Sequence, residues 1–347
     1  MSEVPIHIDL YSDTQTRPSR EMRKAIFESE VGDEQMREDP TVNLLHDRVC
    51  QILGKESALF LPSGTMCNQI AIRVYCQPGD EIILDRTAHV WNAEAGGSAA
   101  LSGALVHPIN GERGIYEPDQ LIEAVRPADR HYPGSRLAVV EQANSCGAIW
   151  PLETIQAVAE TAHSHGLVCH MDGARLFNAC VKQEISPARY CDPFDSIGID
   201  FSKGLGAPVG AALAGSYEFI EQAWRWKQQF GGAMRQAGII AAAALYALEN
   251  NIDRLTEDHD NARRLSEGLS SISGIQTVPV ETNLVFFNVH HLGCTELSFA
   301  KTCREHGLRV STPGGTRLRA VTHLDVSESD IDEAIRIFAK VAAFYSC

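Results

Sequence analysis

The amino-acid sequence predicts an α/β protein: a large domain with a mostly parallel sheet between layers of helices, and a smaller α+β domain behind it. Three observations carry this. Short apolar runs recur along the first 250 residues, each bounded by Gly, Pro or a charge. Most are followed by a segment of helical spacing, the alternation that builds parallel sheets. Beyond that point the pattern changes to shorter strand-like runs between long amphipathic helices.

In chain order, the strands are expected at SALFLP from Ser57, DEIILD from Asp80, RLAVVE from Arg136, GLVCHMD from Gly166 and DSIGID from Asp195. PLETIQAVAETAHSHG from Pro151 is typical of the helical segments between them. After the alanine-rich RQAGIIAAAALYALENN, the amphipathic IDRLTEDHDNARRLSEGL leads to strands around TNLVFFNV and GTRLRAVTH. A final helix follows in SESDIDEAIRIFAKVAAFY, with Ser327 or Ser329 placed to cap it. The expected division is an N-terminal arm over 1–40, a large domain over 41–250 and a small one over 251–347.

Composition narrows the function. A chain of 347 residues is long enough to bury roughly 75% of its unfolded surface. Its 45 acidic residues against 30 Lys and Arg leave a formal charge of -15, which opposes binding to nucleic acid or an anionic membrane. No apolar run approaches the ~20 residues of a membrane span, and MSEVPIHIDLYSDTQTRPS lacks the apolar core of a signal peptide. A cytoplasmic protein is expected. The ten cysteines form no C-x-x-C pair and have no histidine at zinc-finger distance, so they read as reduced core residues and no metal is expected.

In an open parallel sheet, ligands collect beyond the carboxyl ends of the strands. Three motifs stand there. Ser63, Gly64 and Thr65 follow ALFLP and open a helix; taken alone they read as an ordinary N-cap, and otherwise as an anion cradle of backbone N–H and hydroxyl groups. Asp172 and Arg175, in DGAR, follow GLVCHM; a carboxylate there needs a positive partner, which a structural pair with Arg175 or a bound cation would supply. Lys203, in DFSKGLGAPVG, has glycine and serine as neighbours and no charge within two residues, a setting of close apolar packing that favours a neutral, nucleophilic amine. Together the three fit pyridoxal 5'-phosphate, which needs an amine, an acid for its ring nitrogen and a dipole-rich phosphate site. His89, in DRTAHVWNAEAGG, follows another strand and is either a structural hydrogen-bonder or a ring-stacking group.

At this point the chain resembles the L-threonine aldolase family of fold-type I pyridoxal-phosphate enzymes. The likeness runs through IDLYSDTQTRPSREMRKA, EDPTVNLL, LFLPSGTMCNQIA, HMDGARLFNA, SKGLGAPVG, GGAMRQAG and RLRAVTHLDVS, nearly the whole chain. It implies that Lys203 is the Schiff-base lysine, Asp172 the partner of the pyridine nitrogen, Arg175 a neighbour of the ring oxygen, and His89 the stacked histidine. It implies further that Ser63, Gly64 and Thr65 form the phosphate turn and that Arg235 reaches the phosphate of an adjacent subunit, in a dimer or tetramer. Ser12 and Arg319 would grip the substrate carboxylate, with Arg317 the rival of Arg319 and a simple turn the alternative for Ser12. His131 would assist proton transfer at the substrate hydroxyl. The implied reaction is cleavage of L-threonine, L-allo-threonine or a related L-β-hydroxy-α-amino acid to glycine and an aldehyde. A β-eliminating lyase or an aminotransferase on the same scaffold is the alternative. The chain departs from the family pattern twice, at Met36 and Arg37 in EQMREDP and from Gln142 to Cys146 in EQANSCG, which lacks a histidine. Both segments are expected on the substrate side.

Overall fold

The computed structural model describes residues 4–346. Its strands are β1 (Ile8–Asp9), β2 (Ser57–Leu61), β3 (Glu81–Asp85), β4 (Leu105–Ile109), β5 (Ser135–Glu141), β6 (Val168–Gly173), β7 (Ser196–Asp200), β8 (Ala211–Gly215), β9 (Gln276–Thr277), β10 (Leu284–Asn288), β11 (Leu308–Arg309) and β12 (Leu318–Val321). The central sheet has the order β2-β8-β7-β6-β5-β3-β4. All its pairings are parallel except those of β8, which runs against both β2 and β7.

The apolar runs become strands because they are buried on both faces: every residue of β3, β7 and β8 is inside. Two strands escape a reading by apolar runs. β8, AALAG, offers only one large side chain, and β4, LVHPI, is an edge strand with a proline and a half-exposed Leu105. Small residues also set the spacing between layers. At Gly198 of β7 a Cβ would lie 3.1 Å from the Cβ of Cys67, so glycine lets the helix Gly64–Tyr75 settle directly on the strand. That helix carries Asn68, one of the polar groups of the site.

The C-terminal unit has its own core around Phe287, Phe299, Leu318 and Phe338, under a three-stranded antiparallel sheet, β12-β10-β9. Ile8 and Leu10 belong to this core, and β1 pairs with β11, so the start of the chain is tied to its far end. Ser327 rather than Ser329 caps the last helix, Glu328–Tyr345, in a capping box with Asp330. Among the described residues every cysteine is free, and no helix is long and apolar enough to cross a membrane; Cys347 lies outside the described residues.

Candidate active site

The turns after β2, β3, β5, β6 and β7 meet at one edge of the sheet. After β2, Ser63 caps the helix Gly64–Tyr75, its Oγ accepting from the Met66 N–H at 3.2 Å. The N-cap reading therefore holds, and the N–H groups of the first turn, at Gly64 and Thr65, still point out of the positive end of a three-turn helix. A Cβ on Gly64 would lie 3.3 Å from Asp200 Oδ2. Asp200 closes β7, and its other oxygen accepts from the N–H and Oγ of Ser202 at 2.9 and 2.7 Å.

Lys203 follows in a loop held from two sides. Thr16 Oγ1 donates to the Lys203 carbonyl at 2.9 Å and Asn251 Nδ2 to that of Leu205 at 2.7 Å. Gly206, at φ +78, turns the chain back. The lysine amine lies 3.3 Å from Asp200 Oδ2. The expected apolar setting is thus corrected: the ammonium has an anionic partner, which the strand end delivers from three residues back.

The pair suggested by DGAR is also corrected. Arg175 turns away from Asp172 and makes a bidentate bond to Asp13, at 2.8 and 2.7 Å, with both side chains buried. Burial pushes Asp13 up, but the Arg175 guanidinium outweighs it and holds the carboxyl well below its ordinary 3.8. Asp13→Ala would leave that guanidinium buried and uncompensated, and we expect a loss of about 3–5 kcal/mol in urea unfolding. Because the native carboxyl is depressed, its contribution is fully present above the ordinary value and fades as pH falls below it; the variant should lose this acid-side slope.

Asp172, 5% exposed, is left with neutral partners: Asn68 Nδ2 at 2.9 Å on one oxygen and the Ala174 N–H at 3.2 Å on the other. Asn68 is a junction. It also donates to Glu94 Oε1 at 2.7 Å, and its carbonyl oxygen lies 3.0 Å from His170 Nε2. Burial pushes His170 down to about 4, so its ring is neutral, donating from Nε2 and meeting Ser196 Oγ at Nδ1. Glu94 in turn lies 2.9 Å from His89 Nδ1 and raises the pKa of that half-buried ring. Polar atoms of His89, Glu94 and Asp172 all fall within 4.8 Å of one another. Beside them, burial and then the Asp172 carboxylate push Glu141 up to about 7. Its oxygens accept from Ser145 Oγ at 2.7 Å and the His89 N–H at 3.3 Å, so the EQANSCG segment reaches the site through this carboxyl group.

In β12, Arg319 donates from Nε to Ser311 Oγ at 3.1 Å and from Nη2 to the Tyr11 carbonyl at 3.4 Å, while Arg317 stacks on Phe286 instead. Burial pushes Arg319 down, with Arg175 nearby adding to the shift. Ser12 caps the short turn Asp13–Gln15, as the turn reading has it, next to the carbonyl that Arg319 holds.

Two expected site residues stand apart within one chain. His131 is exposed and bonded to Asp129, ahead of β5 and so at the other end of that strand from Glu141. Arg235 is exposed and paired with Asp33 at 3.0 Å. Nearby, Met36 is on the surface and Arg37 pairs with Glu221, so this departure does not face the site of its own chain. In exchange the structure adds Asp13, Asn68, Glu94, Glu141 and Asp200. Asn68 and Gln69 had a signal, two adjacent amides in the helix MCNQIAIRVY, whose remaining residues are apolar or aromatic apart from Arg73; the others lie inside motifs already singled out.

These residues fit pyridoxal phosphate. Asp172 is a buried carboxylate whose neighbour in sequence, Arg175, is bound to Asp13 instead, a setting that suits a protonated ring nitrogen. A helix end that a Cβ would crowd and a lysine amine lie on the same edge.

Comparison with known proteins agrees. A family profile described as Beta-eliminating lyase matches residues 9–292. The chain is 40% identical over 332 residues to the low specificity L-threonine aldolase of Escherichia coli K12, covering 94% of this chain and 96% of that one. It is 38% identical over 342 residues to low-specificity L-threonine aldolase 1 of Arabidopsis thaliana, covering 95% of each. Among solved structures, the threonine aldolase of Leishmania major superposes with a TM-score of 0.83 at 18% identity, over 96% of this chain and 99% of that one. An aspartate aminotransferase from Thermus thermophilus gives 0.72 at 17% identity, over 97% and 92%. These two likenesses show the fold, which the chain shares with a threonine aldolase and an aspartate aminotransferase.

Proposed function

The chain belongs to the beta-eliminating lyase family, with low-specificity L-threonine aldolases among its relatives, and from that premise we propose that it cleaves L-threonine, L-allo-threonine or a related L-β-hydroxy-α-amino acid to glycine and an aldehyde. It is a lyase, and members of this fold use pyridoxal phosphate. The observation that carries the reading is the convergence of Lys203, a buried Asp172 without a cation, and the Gly64 helix end on one edge of the sheet.

Pyridoxal phosphate, when bound, supplies the electron sink for the pair released as the Cα–Cβ bond breaks. Asp172 holds a proton at the ring nitrogen, and Asn68 and the Ala174 N–H keep that carboxylate oriented. Lys203 would hold the cofactor through its amine, and the same amine, once free and protonated, would supply a proton at Cα. Arg319, with N–H donors beyond those given to Ser311 and Tyr11, takes the substrate carboxylate near Ser12. Glu94 fixes His89 with Nδ1 protonated, which leaves Nε2 to accept the proton of the β-hydroxyl. His131 of the same chain stands too far along the sheet for that task.

Arg235, outward-facing and on the surface, suits a phosphate contact in a second copy of the chain, so the working enzyme in this reading is a homodimer or homotetramer. A cytoplasmic setting belongs to this reading, in keeping with cysteines that are free among the described residues. The test is a panel of L-β-hydroxy-α-amino acids with both products assayed. Glycine and an aldehyde in equal amounts are expected; pyruvate with ammonia, or amino transfer to a keto acid, would replace this reading with β-elimination or transamination.

A further inference from the structure

We propose that Asp200 is an internal competitor for the cofactor's phosphate, so that this chain exchanges its cofactor more readily than it would with a neutral residue at that position. The inference rests on the reading that Ser63, Gly64 and Thr65 receive that phosphate.

The placement is fixed from both directions. Asp200 is the last residue of β7, held in register opposite Ala211 and 9% exposed. Ser202 ties down one carboxylate oxygen through two hydrogen bonds, which leaves the other no freedom to swing away. That second oxygen lies 3.3 Å from Lys203 Nζ and 3.3 Å from where a Gly64 side chain would begin. A carboxylate therefore stands beside the positive end of the helix Gly64–Tyr75, the end that attracts anions.

Without cofactor the arrangement is balanced: the helix end and the Lys203 ammonium both face the Asp200 charge. A bound phosphate competes for the helix end, and the amine that tethers the cofactor no longer serves Asp200 as a free ammonium. Arg175, the other cation whose field reaches Asp200, is already committed to Asp13. Two anions then share one cradle. At an effective dielectric near 20 and a separation of a few ångströms, with screening, such repulsion weakens binding by about tenfold or more.

The test compares holoenzymes by equilibrium dialysis, reading retained cofactor by its absorbance. Wild-type chain, Asp200→Asn, Asp200→Ser and Asp200→Glu are each loaded with pyridoxal phosphate or with pyridoxal, which forms the same attachment to Lys203 but has no phosphate. Asn and Ser should hold pyridoxal phosphate about tenfold more tightly than the wild type, with the pyridoxal constant unchanged and Glu resembling the wild type. Equal or weaker retention of pyridoxal phosphate by both neutral variants overturns the inference, as does an equal gain for pyridoxal, which would assign the effect to Lys203. Failure of wild type and variants alike to bind either compound overturns the cofactor reading, and this inference with it. Near-native circular dichroism and one folded neutral variant suffice for the comparison.

Discussion

Lys203→Ala is expected to hold no borohydride-fixed cofactor and to lose about 10²–10⁴-fold in turnover, the range associated with removing a positioned proton-transfer group. The chain offers a demanding internal control. Lys227 is more secluded than Lys203: it is wholly buried, paired with Glu34, and has its Nζ 4.7 Å from the centre of the Trp224 ring. Burial pushes its amine down, with Glu34 opposing. Seclusion by itself would thus select the wrong lysine. Lys203 differs in being partly open and in sharing its edge with Asp172 and the helix end. Peptide mapping after reduction should find the label on Lys203 in the wild-type chain and nowhere in the alanine variant. Label on Lys227 would dismantle the whole site assignment.

Asp172→Asn is expected to keep most of the fold and lose about 10²–10³-fold in kcat, the usual cost of removing one preorganised electrostatic group. An asparagine oxygen still accepts from Asn68 or Ala174, so unfolding by urea should shift little. What disappears is the negative charge that keeps the ring nitrogen protonated. KM should change far less than kcat, because the group acts on charge that develops as the bond breaks. A variant that cleaved threonine at the parental rate would refute the role given to Asp172.

Much of the site was legible because motif and strand end coincide. SGT, DGAR and SKGLG each follow a buried run, and local chain geometry obliges a residue just past a parallel strand to face the same edge. Five of the seven central strands were legible for the same local reason. β8 was not, since alanine and glycine give no apolar periodicity, and neither was β4, whose proline is tolerated only because nothing pairs on its outer side.

The choice of partners was a different matter. Arg175 stands three residues from Asp172 and is bound to Asp13, 162 positions away in sequence. Lys203 meets Asp200, while Arg319 rather than Arg317 turns to the Tyr11 carbonyl. Asn68 joins Asp172, Glu94 and His170 only because Gly198 lets its helix settle on β7. The order of residues by itself determined the α/β alternation, the ordered set of motifs and the edge on which they emerge, since burial and backbone period act over a few neighbouring residues. Which charge compensates which was decided only by the tertiary structure. Electrostatic attraction acts through space, and in a crowded pocket a cation goes to the carboxylate that folding brings nearest, however distant it is along the chain.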